Sequence, residues 1–525
     1  MNPRPVEPVP ASRLFGGCRL RRSLVCLAAL AALVGAFYAE EDWRGRRDWN
    51  QYRQATEARG ESLDLRFYIP KPVPDDQNFC ATPFLKAFFQ TKLRGLILTN
   101  DLWSRANARI PATYSQKARE DRGHRRFTDL VGWQQAFAAL QNGPLKGSQE
   151  FETTNTGLAE RAAAAPAVLE GMEPDAAVFA ELRAASTRTY SLCPVAYDLE
   201  NPWPILWQYV SGMKYLCQRL DLEACAELAA GQTDQALADV KLSIALTDSL
   251  KSEPFLISYL VRVACFPIAI QAVWEGLAEH RWTDAQLQEL QVRFLSCDFL
   301  GDLDQTLKEE RAAGVLWCDR IKKQGVLLDE DMWFRDSTSA APRRKDVFKW
   351  FGWLIPAGWY DQEKLNYCRQ LEEPSEGVVD FGAKNVSPHN SPSDAAASLD
   401  QLRSSVLKAT LHHRLIAARL LYLGPVLAKA AITQTIANQA ALACALERYR
   451  LANGQFPETL EALAPQFISR LPNDVIGGQP YKYRRTGDGQ FVLYSVGWNE
   501  KDDGGVPGTT LFDQTQGDWV WDYPE

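Results

Sequence analysis

The chain contains 525 residues, with 58 basic and 65 acidic side chains that give a formal net charge of −7. This length is enough for two or three domains with a sizeable core. The opposite charges are interspersed, so the chain has no dense basic stripe that would bind the phosphates of a nucleic acid. Eleven cysteines are scattered without the C-x-x-C pairs of a zinc ribbon, and no zinc fold is expected.

An uncharged apolar run at residues 23–39 is the first predicted element. Its length lies at the lower edge of the roughly 17–25 residues that cross a bilayer as a helix. Five arginines precede it and three acidic residues follow it directly. The positive-inside rule therefore predicts a single-pass anchor, with residues 1–22 as a cytoplasmic basic tail and the rest of the chain outside. A cleaved signal peptide is the alternative, with Val34-Gly35-Ala36 as a weak cleavage site.

Residues 40–75 are predicted to form a charged stalk and an extended lead-in to a helical domain at 76–369. Three prolines in this lead-in fix φ and keep their predecessors out of the helical region. Asp76 or Asn78 is then expected to cap a helix, because a helical apolar pattern follows at once. A cation site at Asp75-Asp76 is the alternative.

Helical spacing of apolar residues dominates from about residue 202 to residue 323. One predicted helix ends near Ala229, the next begins before Ala236, and Gly231 lies between them. Such a hairpin is typical of an ordinary helical bundle or of one tetratricopeptide-like pair, and arrays of such pairs bind peptides or protein partners. Thr283 and Gln286 are spaced as a capping box for a further helix.

Residues 370–400 are rich in Pro, Ser, Asn and Gly, which predicts a loop or linker. Ahead of it, basic residues at 343–345 precede a Trp-rich apolar stretch at 347–360. A membrane-interface patch that includes Trp350 and Trp353 is one interpretation of this stretch, and a buried aromatic core is the other.

A long helix is predicted at 401–440, with a kink at Pro425 because proline lacks the N–H for the helical hydrogen bond. His412 and His413 lie on this helix. Adjacent helical side chains point about 100° apart, so these two histidines cannot chelate one metal ion.

Residues 441–525 are predicted to form a small α+β module. The long helix ends at Asn453-Gly454, since both residues tolerate the left-handed conformation. Residues 481–485 and 490–496 are strand-like and are joined by Thr-Gly-Asp-Gly, which predicts an antiparallel hairpin. An isolated hairpin is marginal in water, so it should pack on the long helix.

The order of features in this module is specific. Glu-Arg-Tyr-Arg ends the helix, and Phe-Pro-x-x-Leu-x-x-Leu, Pro-Tyr-x-Tyr and Tyr-Ser-x-Gly follow in turn. This order resembles the globular half of the major pseudopilin of bacterial type II secretion systems. The resemblance covers the last 85 residues. Together with the predicted anchor and its arginines, it implies a bacterial inner-membrane protein with its bulk in the periplasm and with partners in secretion or pilus-like assembly.

Two departures from the family separate this chain from a pilus subunit. The apolar run at 23–39 lacks the glutamate with which the family's transmembrane helix begins, and some 400 residues separate that run from the module. Val475 also stands where the family has a proline. The whole layout looks like large bacterial membrane-anchored proteins that carry this tail.

In the pseudopilin family the loop after the last strand commonly holds a calcium ion, and the similar stretch here is Ser-Val-Gly-Trp-Asn-Glu-Lys-Asp-Asp-Gly-Gly. The resemblance implies that oxygen atoms of Asn499, Asp502, Asp503 and Asp518 bind Ca²⁺, a hard cation that takes such ligands. Asn499 stands where the family usually has an acidic residue. The alternative is a solvated turn that binds no metal.

Enzyme motifs give little support for catalysis. The chain has no G-x-S-x-G, H-E-x-x-H, Walker or dinucleotide-binding motif. Matches to S-x-x-K at Ser211 and Ser405 lack the S-D-N and K-T-G motifs that accompany it in penicillin-binding proteins. Enzymatic activity is therefore left open, with a non-enzyme favoured.

The expected fold class is mainly α, with one N-terminal transmembrane helix, a large helical domain of hairpins and a small C-terminal α+β pseudopilin-like module. The expected function is a membrane-anchored binding and assembly scaffold linked to secretion or pilus-like machinery. The alternative is an envelope hydrolase with a carboxylate-based site in the helical domain, since acidic pairs distant in sequence escape a motif search.

Overall fold

The computed structural model describes residues 12–90, 123, 125–141, 157–193, 195, 197, 199, 207–324, 355–373, 375–390 and 423–523. In this part of the chain the protein is mainly helical with small antiparallel sheets, which confirms the predicted class. The helices are α1 (Ser12–Ala58), α2 (Pro83–Gln90), α3 (Leu130–Gln141), α4 (Leu158–Met172), α5 (Ala176–Ala185), α6 (Trp207–Ala229), α7 (Thr233–Ser249), α8 (Leu256–Ala278), α9 (Asp284–Leu295), α10 (Phe299–Gln324), α11 (Ala357–Glu372) and α12 (Gly424–Asn453). The strands are β1 (Val379–Asp380), β2 (Asn385–Val386), β3 (Lys482–Arg485), β4 (Phe491–Ser495) and β5 (Trp519–Trp521).

The chain divides into two compact units, each built from separate stretches of sequence. The first unit comprises Met1–Leu63, Gly314–Arg369 and Asp400–Leu420. The second unit comprises Asp64–Ala313, Gln370–Leu399 and Leu421–Glu525.

The first half of α1 is an apolar helix with exposed side chains, among them Leu24, Leu27 and Leu30. The helix from Arg21 onward is long and apolar enough to cross a membrane, and none of its apolar window is buried within the protein. A membrane anchor and a signal sequence both meet this criterion.

The second half of α1 packs against α11 where two glycines meet. A Cβ atom added to Gly45 would overlap the carbonyl oxygen of Gly358. The Gly358 amide donates to Asp42 Oδ1 at 2.8 Å, and Trp359 Nε1 donates to Glu41 Oε2 at 2.9 Å. Trp359 is thus part of the packing of this unit. Trp350 and Trp353, which define the predicted membrane patch, lie outside the described residues.

The second unit is built around α8. This helix is also apolar enough to span a membrane, but 78% of its apolar window is buried inside the protein. It packs against α6, α7 and α12. Burial on all sides explains its uniformly apolar sequence, so α8 is a core helix of a globular unit.

The helical hairpin predicted around Gly231 is confirmed. Helix α6 ends at Ala229, Gly231 adopts a φ of 77°, and α7 begins at Thr233. The capping box is also confirmed, because the Gln286 amide donates to Thr283 Oγ1 and the Thr283 amide donates to Gln286 Oε1. The tetratricopeptide-like pairing remains a prediction.

The predicted cap at Asn78 exists, but it starts a 3-10 turn. Asn78 Oδ1 accepts from the Cys80 amide, and the turn spans Phe79–Ala81. The first α-helix of the unit begins only at Pro83. Asp75 is ion-paired with Lys86.

Helix α12 starts with Pro425 in its first turn, where the missing N–H removes no intrahelical bond. Among the described residues Pro425 therefore marks a helix start, whereas a kink was predicted. Residues 401–422, which include His412 and His413, lie outside the described part. The helix ends at Asn453 before Gly454 with φ 79°, as predicted.

The C-terminal hairpin of β3 and β4 is confirmed as antiparallel. A third strand, β5, pairs with β4, and the sequence does not predict it. Gln439 Nε2 donates to the Trp519 carbonyl at 2.7 Å, so the sheet lies against α12. Trp274 Nε1 on α8 donates to the Asp522 carbonyl at 2.9 Å. The C-terminal residues and the central helices thus share one core.

The predicted linker at 370–400 is ordered in its described part. Residues up to Glu372 belong to α11, and β1 and β2 form a short hairpin. The Val386 amide donates to the Val475 carbonyl at 2.7 Å, which attaches this hairpin to the C-terminal residues. Two-residue strands are too short to produce an alternating apolar pattern, so the composition alone indicated a loop.

Candidate cation site in the helical unit

Three carboxylates converge on the hairpin of α6 and α7. Glu223 and Glu227 are four residues apart on α6, so they share one face of that helix. Asp239 lies in the second turn of α7, which packs directly beside α6. One oxygen from each of the three residues lies within 4.8 Å of the other two. This spacing is short enough for a single cation to contact all three.

Arg183 on α5 neutralises one side of this carboxylate cluster. Its Nε donates to Asp239 Oδ1 at 2.6 Å, and its Nη2 donates to Glu223 Oε1 at 3.2 Å. The guanidinium therefore occupies one oxygen of each residue and leaves the second oxygen of each to other partners.

The remaining oxygens have no hydrogen-bond partner among the described residues. They are Glu223 Oε2, Glu227 Oε2 and Asp239 Oδ2, and all three atoms are buried. Asp239 is 0% exposed and Glu227 is 5% exposed. A buried carboxylate oxygen without a partner is unfavourable by about 1–3 kcal/mol. A bound cation would satisfy these oxygens, and a proton shared between Glu227 and Asp239 is the alternative that the polypeptide itself supplies.

The protonation of the cluster follows from this burial. Burial, reinforced by the charge of Asp239, raises the pKa of Glu227 to about 9. Burial, reinforced by the charge of Glu223, raises the pKa of Asp239 to about 7. Without a cation, Glu227 is therefore protonated at neutral pH and can donate a hydrogen bond to a neighbouring carboxylate.

A second ion pair lies beside the cluster. Arg219 Nε donates to Asp175 Oδ2 at 2.7 Å, and both charges act on Glu223. Together with the three cluster residues and Arg183, this makes four carboxylates and two guanidiniums. Two negative charges remain when all the groups are ionised, which matches the charge of one divalent cation.

Glu275 on α8 is a buried carboxylate with hydrogen-bond donors from the protein at both of its oxygens. Glu275 Oε1 accepts from the amide and hydroxyl of Thr128, both at 2.7 Å, and from Gln271 Nε2 at 2.9 Å. Arg161 is ion-paired with its other oxygen. Both oxygens of Glu275 thus have donors, whereas each member of the carboxylate cluster keeps an oxygen without a donor in the described part of the chain.

The four residues predicted to bind calcium lie in the loop between β4 and β5, with Asp518 directly before β5. Asn499 Nδ2 donates to Asp503 Oδ2 at 2.9 Å, so these two side chains are in contact. Asp518 is buried and accepts from the amides of Asp503 at 3.2 Å and Gly505 at 2.6 Å. Asp518 therefore holds the loop through backbone N–H groups.

Asp502, in the same loop, is bound to other groups. Its Oδ1 accepts from Tyr494 Oη and from the Gly504 amide, both at 3.1 Å, and its Oδ2 pairs with Lys482 at 3.3 Å. The structure thus brings Asn499 and Asp503 together and binds Asp502 to other groups. Calcium binding at this loop stays a prediction.

The carboxylate cluster was not predicted from the sequence. The signal that the sequence does contain is Glu-x-x-x-Glu near the end of α6, followed by Asp239 beyond a glycine turn. Comparison with protein-family models, curated proteins and solved structures finds no match to this chain.

Proposed function

We propose that the protein is a membrane-anchored envelope protein whose helical unit binds a divalent cation through Glu223, Glu227 and Asp239. The cation joins α6 to α7, and Arg183 on α5 donates to two of the same carboxylates, so the three helices form a scaffold for binding and assembly. The observation that supports this most directly is the set of three buried carboxylate oxygens without a hydrogen-bond partner among the described residues, in a cluster that carries two uncompensated negative charges when all its groups are ionised.

Calcium is the cation that the spacing favours. All-oxygen ligands select the hard cations Ca²⁺, Mg²⁺ and Mn²⁺. The oxygens lie within 4.8 Å of one another, and this limit is about twice the Ca–O distance of about 2.4 Å. Mg²⁺, with bonds of about 2.1 Å and strict octahedral geometry, would require the carboxylates to draw closer together. Water molecules would complete the coordination.

The anchoring role is supported by the exposed apolar half of α1 and by the arginines that precede it. These arginines favour an orientation in which the helical unit faces the periplasm. Partners in secretion or pilus-like assembly are proposed on the resemblance of the C-terminal residues. Cross-linked affinity purification from native membranes, with and without EGTA, tests both the partners and their dependence on the cation.

An envelope hydrolase is the second candidate, and one observation favours it. Glu227 and Asp239 are adjacent carboxylates whose pKa values are raised to about 9 and about 7, the range in which a carboxyl group can act as a general acid near neutral pH. Glu227→Gln would abolish such activity, whereas a scaffold would show no turnover with any peptide, ester or glycoside substrate.

The test of cation binding uses the full-length protein in detergent micelles. We expect calcium to raise the unfolding temperature of the parent and to bind by calorimetry, because a ligand of the folded state stabilises it by mass action. Glu227→Gln should lose the calcium ion bound at the carboxylate cluster and the stabilisation that this ion supplies. Its cation-free stability should stay within about 1 kcal/mol of the parent at pH 7, since the amide resembles the protonated acid.

Glu170→Gln is the matched control, because it makes the same side-chain substitution at an exposed residue of the neighbouring helix α4. It should retain the calcium-induced shift in full. An equal calcium response in the parent and in Glu227→Gln, or no response in the parent, would refute the site.

A further inference from the structure

Two cysteines outside the carboxylate cluster lie side by side in the second unit. Cys80 follows the proline-rich lead-in, and Cys193 lies 113 residues later, beyond α5. Their sulfur atoms are 3.4 Å apart, and both side chains are buried. A disulfide bond has an S–S length of about 2.05 Å, so closure needs an approach of only about 1.4 Å.

The backbone on both sides of this pair is held in register. The Phe79 amide donates to the Tyr190 carbonyl at 2.8 Å, and the Tyr190 amide donates to the Gln77 carbonyl at 3.0 Å. The Asn78 side chain adds two bonds to Leu192, accepting from its amide at 2.8 Å and donating to its carbonyl at 2.9 Å. These four bonds fix the two segments, so the short sulfur–sulfur distance is a property of the local fold.

A third segment meets the pair. Cys193 Sγ donates to the carbonyl of Ser249 at 3.4 Å, at the end of α7. Cys80 Sγ lies 3.7 Å from Ser191 Oγ. A covalent bond here would therefore tie the lead-in to the segment that follows α5, next to the end of α7.

We propose that Cys80 and Cys193 form a structural disulfide in the folded protein under oxidising conditions. A thiolate of one cysteine attacks a sulfur of a disulfide oxidant, such as glutathione disulfide or a protein disulfide, and gives a mixed disulfide. The second thiolate then displaces the reduced half of the oxidant. Two thiol protons are released, and the two electrons reduce the oxidant to two thiols. The setting rests on the periplasmic orientation proposed above, because disulfides persist in that compartment.

Burial has two consequences for this bond. It raises the pKa of the Cys193 thiol, so little thiolate is available for exchange once the protein has folded. Oxidation therefore takes place before the segments close or during local opening. The finished bond is shielded from external thiols, as expected of a structural disulfide.

Peptide mapping of the full-length protein tests this assignment directly. Trypsin places Cys80 in peptide 67–86 and Cys193 in peptide 189–214, and each peptide contains a single cysteine. The protein is refolded from denaturant in an oxidising glutathione buffer, denatured again in N-ethylmaleimide to block the remaining thiols, digested and analysed by mass spectrometry. The expected product is the two peptides joined and lighter by two hydrogen atoms. Recovery of both peptides as maleimide adducts would overturn the proposal, as would pairing with other cysteines.

Stability measurements supply the second readout. Reductant should lower the unfolding temperature of the oxidised parent by roughly 5 °C. Cys80→Ala, Cys193→Ala and the double variant should all lose this response, because each removes the same bond. Cys444→Ala, which removes a buried thiol of α12, should keep it.

Calcium binding is measured on the same samples, so failure of the cation site and failure of the disulfide are distinguishable. Reductant-insensitive unfolding of the parent, with no linked peptide, would refute the disulfide whatever the calcium result.

Discussion

Glu227 on α6 and Asp239 on α7 face each other across a helical hairpin, and each keeps one buried oxygen without a hydrogen-bond partner among the described residues. Arg183 contacts Asp239 from the other side. The cluster thus has a fixed positive charge on one side and bare oxygens on the other. A bound cation and Arg183 are therefore partly interchangeable sources of positive charge.

The first prediction concerns the replacement of the Arg183 charge by a bound cation. Arg183→Gln should lower the free energy of unfolding by about 2 kcal/mol in EGTA. This is less than the 3–5 kcal/mol typical of a fully buried pair, because Arg183 is 29% exposed. Saturating calcium should restore more than half of the loss, since it neutralises the same carboxylates. Urea unfolding with and without calcium measures both quantities.

The matched control is Arg293→Gln. Arg293 is 31% exposed, close to the 29% of Arg183, and it also pairs with an aspartate of α7, although Asp248 is 40% exposed where Asp239 is buried. Calcium should restore none of its loss. Equal restoration in both variants would contradict the assignment of the cation to the cluster.

Local features of this fold could be predicted from the sequence because they depend on neighbouring residues. The turn at Gly231 needs a left-handed residue, and the capping box needs only Thr283 and Gln286 at the right spacing. The β3–β4 hairpin follows from alternating side chains around a tight turn. Strand β5 was missed because three residues give no periodic pattern.

The candidate site depends on tertiary packing and could not be predicted. Glu223 and Glu227 are ordinary acidic residues in the sequence, and only the packing of α5 and α7 places Arg183 and Asp239 beside them. The two compact units are also assembled from separate stretches. Composition along the chain does not reveal that residues 421–525 share a core with residues 64–313.

The second prediction concerns the C-terminal loop. If the predicted calcium site at Asn499, Asp502, Asp503 and Asp518 forms, the parent binds two calcium ions per chain, one at the loop and one at the carboxylate cluster. The double variant Asp502→Asn and Asp503→Asn should then bind one, because two of the charged ligands are lost. Calorimetric titration of the full-length protein gives the stoichiometry.

Glu227→Gln separates the two sites, since it should remove the other calcium ion. An unchanged stoichiometry in the double variant would leave the loop as a turn held by Asp518 and its backbone donors.

The third prediction concerns Asp474. This carboxylate accepts from Ser495 Oγ at 2.8 Å and from the Ile476 amide at 3.0 Å, and burial raises its pKa from 3.8 to about 6. The folded protein therefore binds this proton more tightly than the unfolded chain does. The resulting stability is complete below about pH 3.8 and is lost as the pH rises through 6.

Urea unfolding at pH 4, 5, 6 and 7 measures this effect as the difference in the free energy of unfolding between Asp474→Asn and the parent. The difference should shift in favour of the variant by about 2–3 kcal/mol over this range, because a shift of one pKa unit corresponds to about 1.4 kcal/mol. Asp502→Asn in EGTA is the control. The Gly504 amide lowers the pKa of Asp502. The difference in the free energy of unfolding between Asp502→Asn and the parent should therefore move in favour of the parent as the pH rises. A flat difference for Asp474→Asn would refute the prediction.

The fourth prediction concerns the contact of α1 with α11. Gly45→Ala would place a methyl group against the carbonyl oxygen of Gly358, so one of the two backbones must move. The expected loss is about 2 kcal/mol of local stability. Hydrogen exchange at the Gly358 amide, which is bonded to Asp42 Oδ1, should accelerate by roughly 30-fold.

Gly35→Ala makes the same substitution on the same helix, at a position where no atom of the described residues lies within 4 Å of the added methyl group. Hydrogen exchange in residues 355–373 should be unchanged in this variant. Equal acceleration in both variants would show that any alanine in α1 perturbs the unit through the helix itself. Acceleration in Gly45→Ala alone would locate the effect at the glycine contact, because the two variants differ only in what the added methyl group meets.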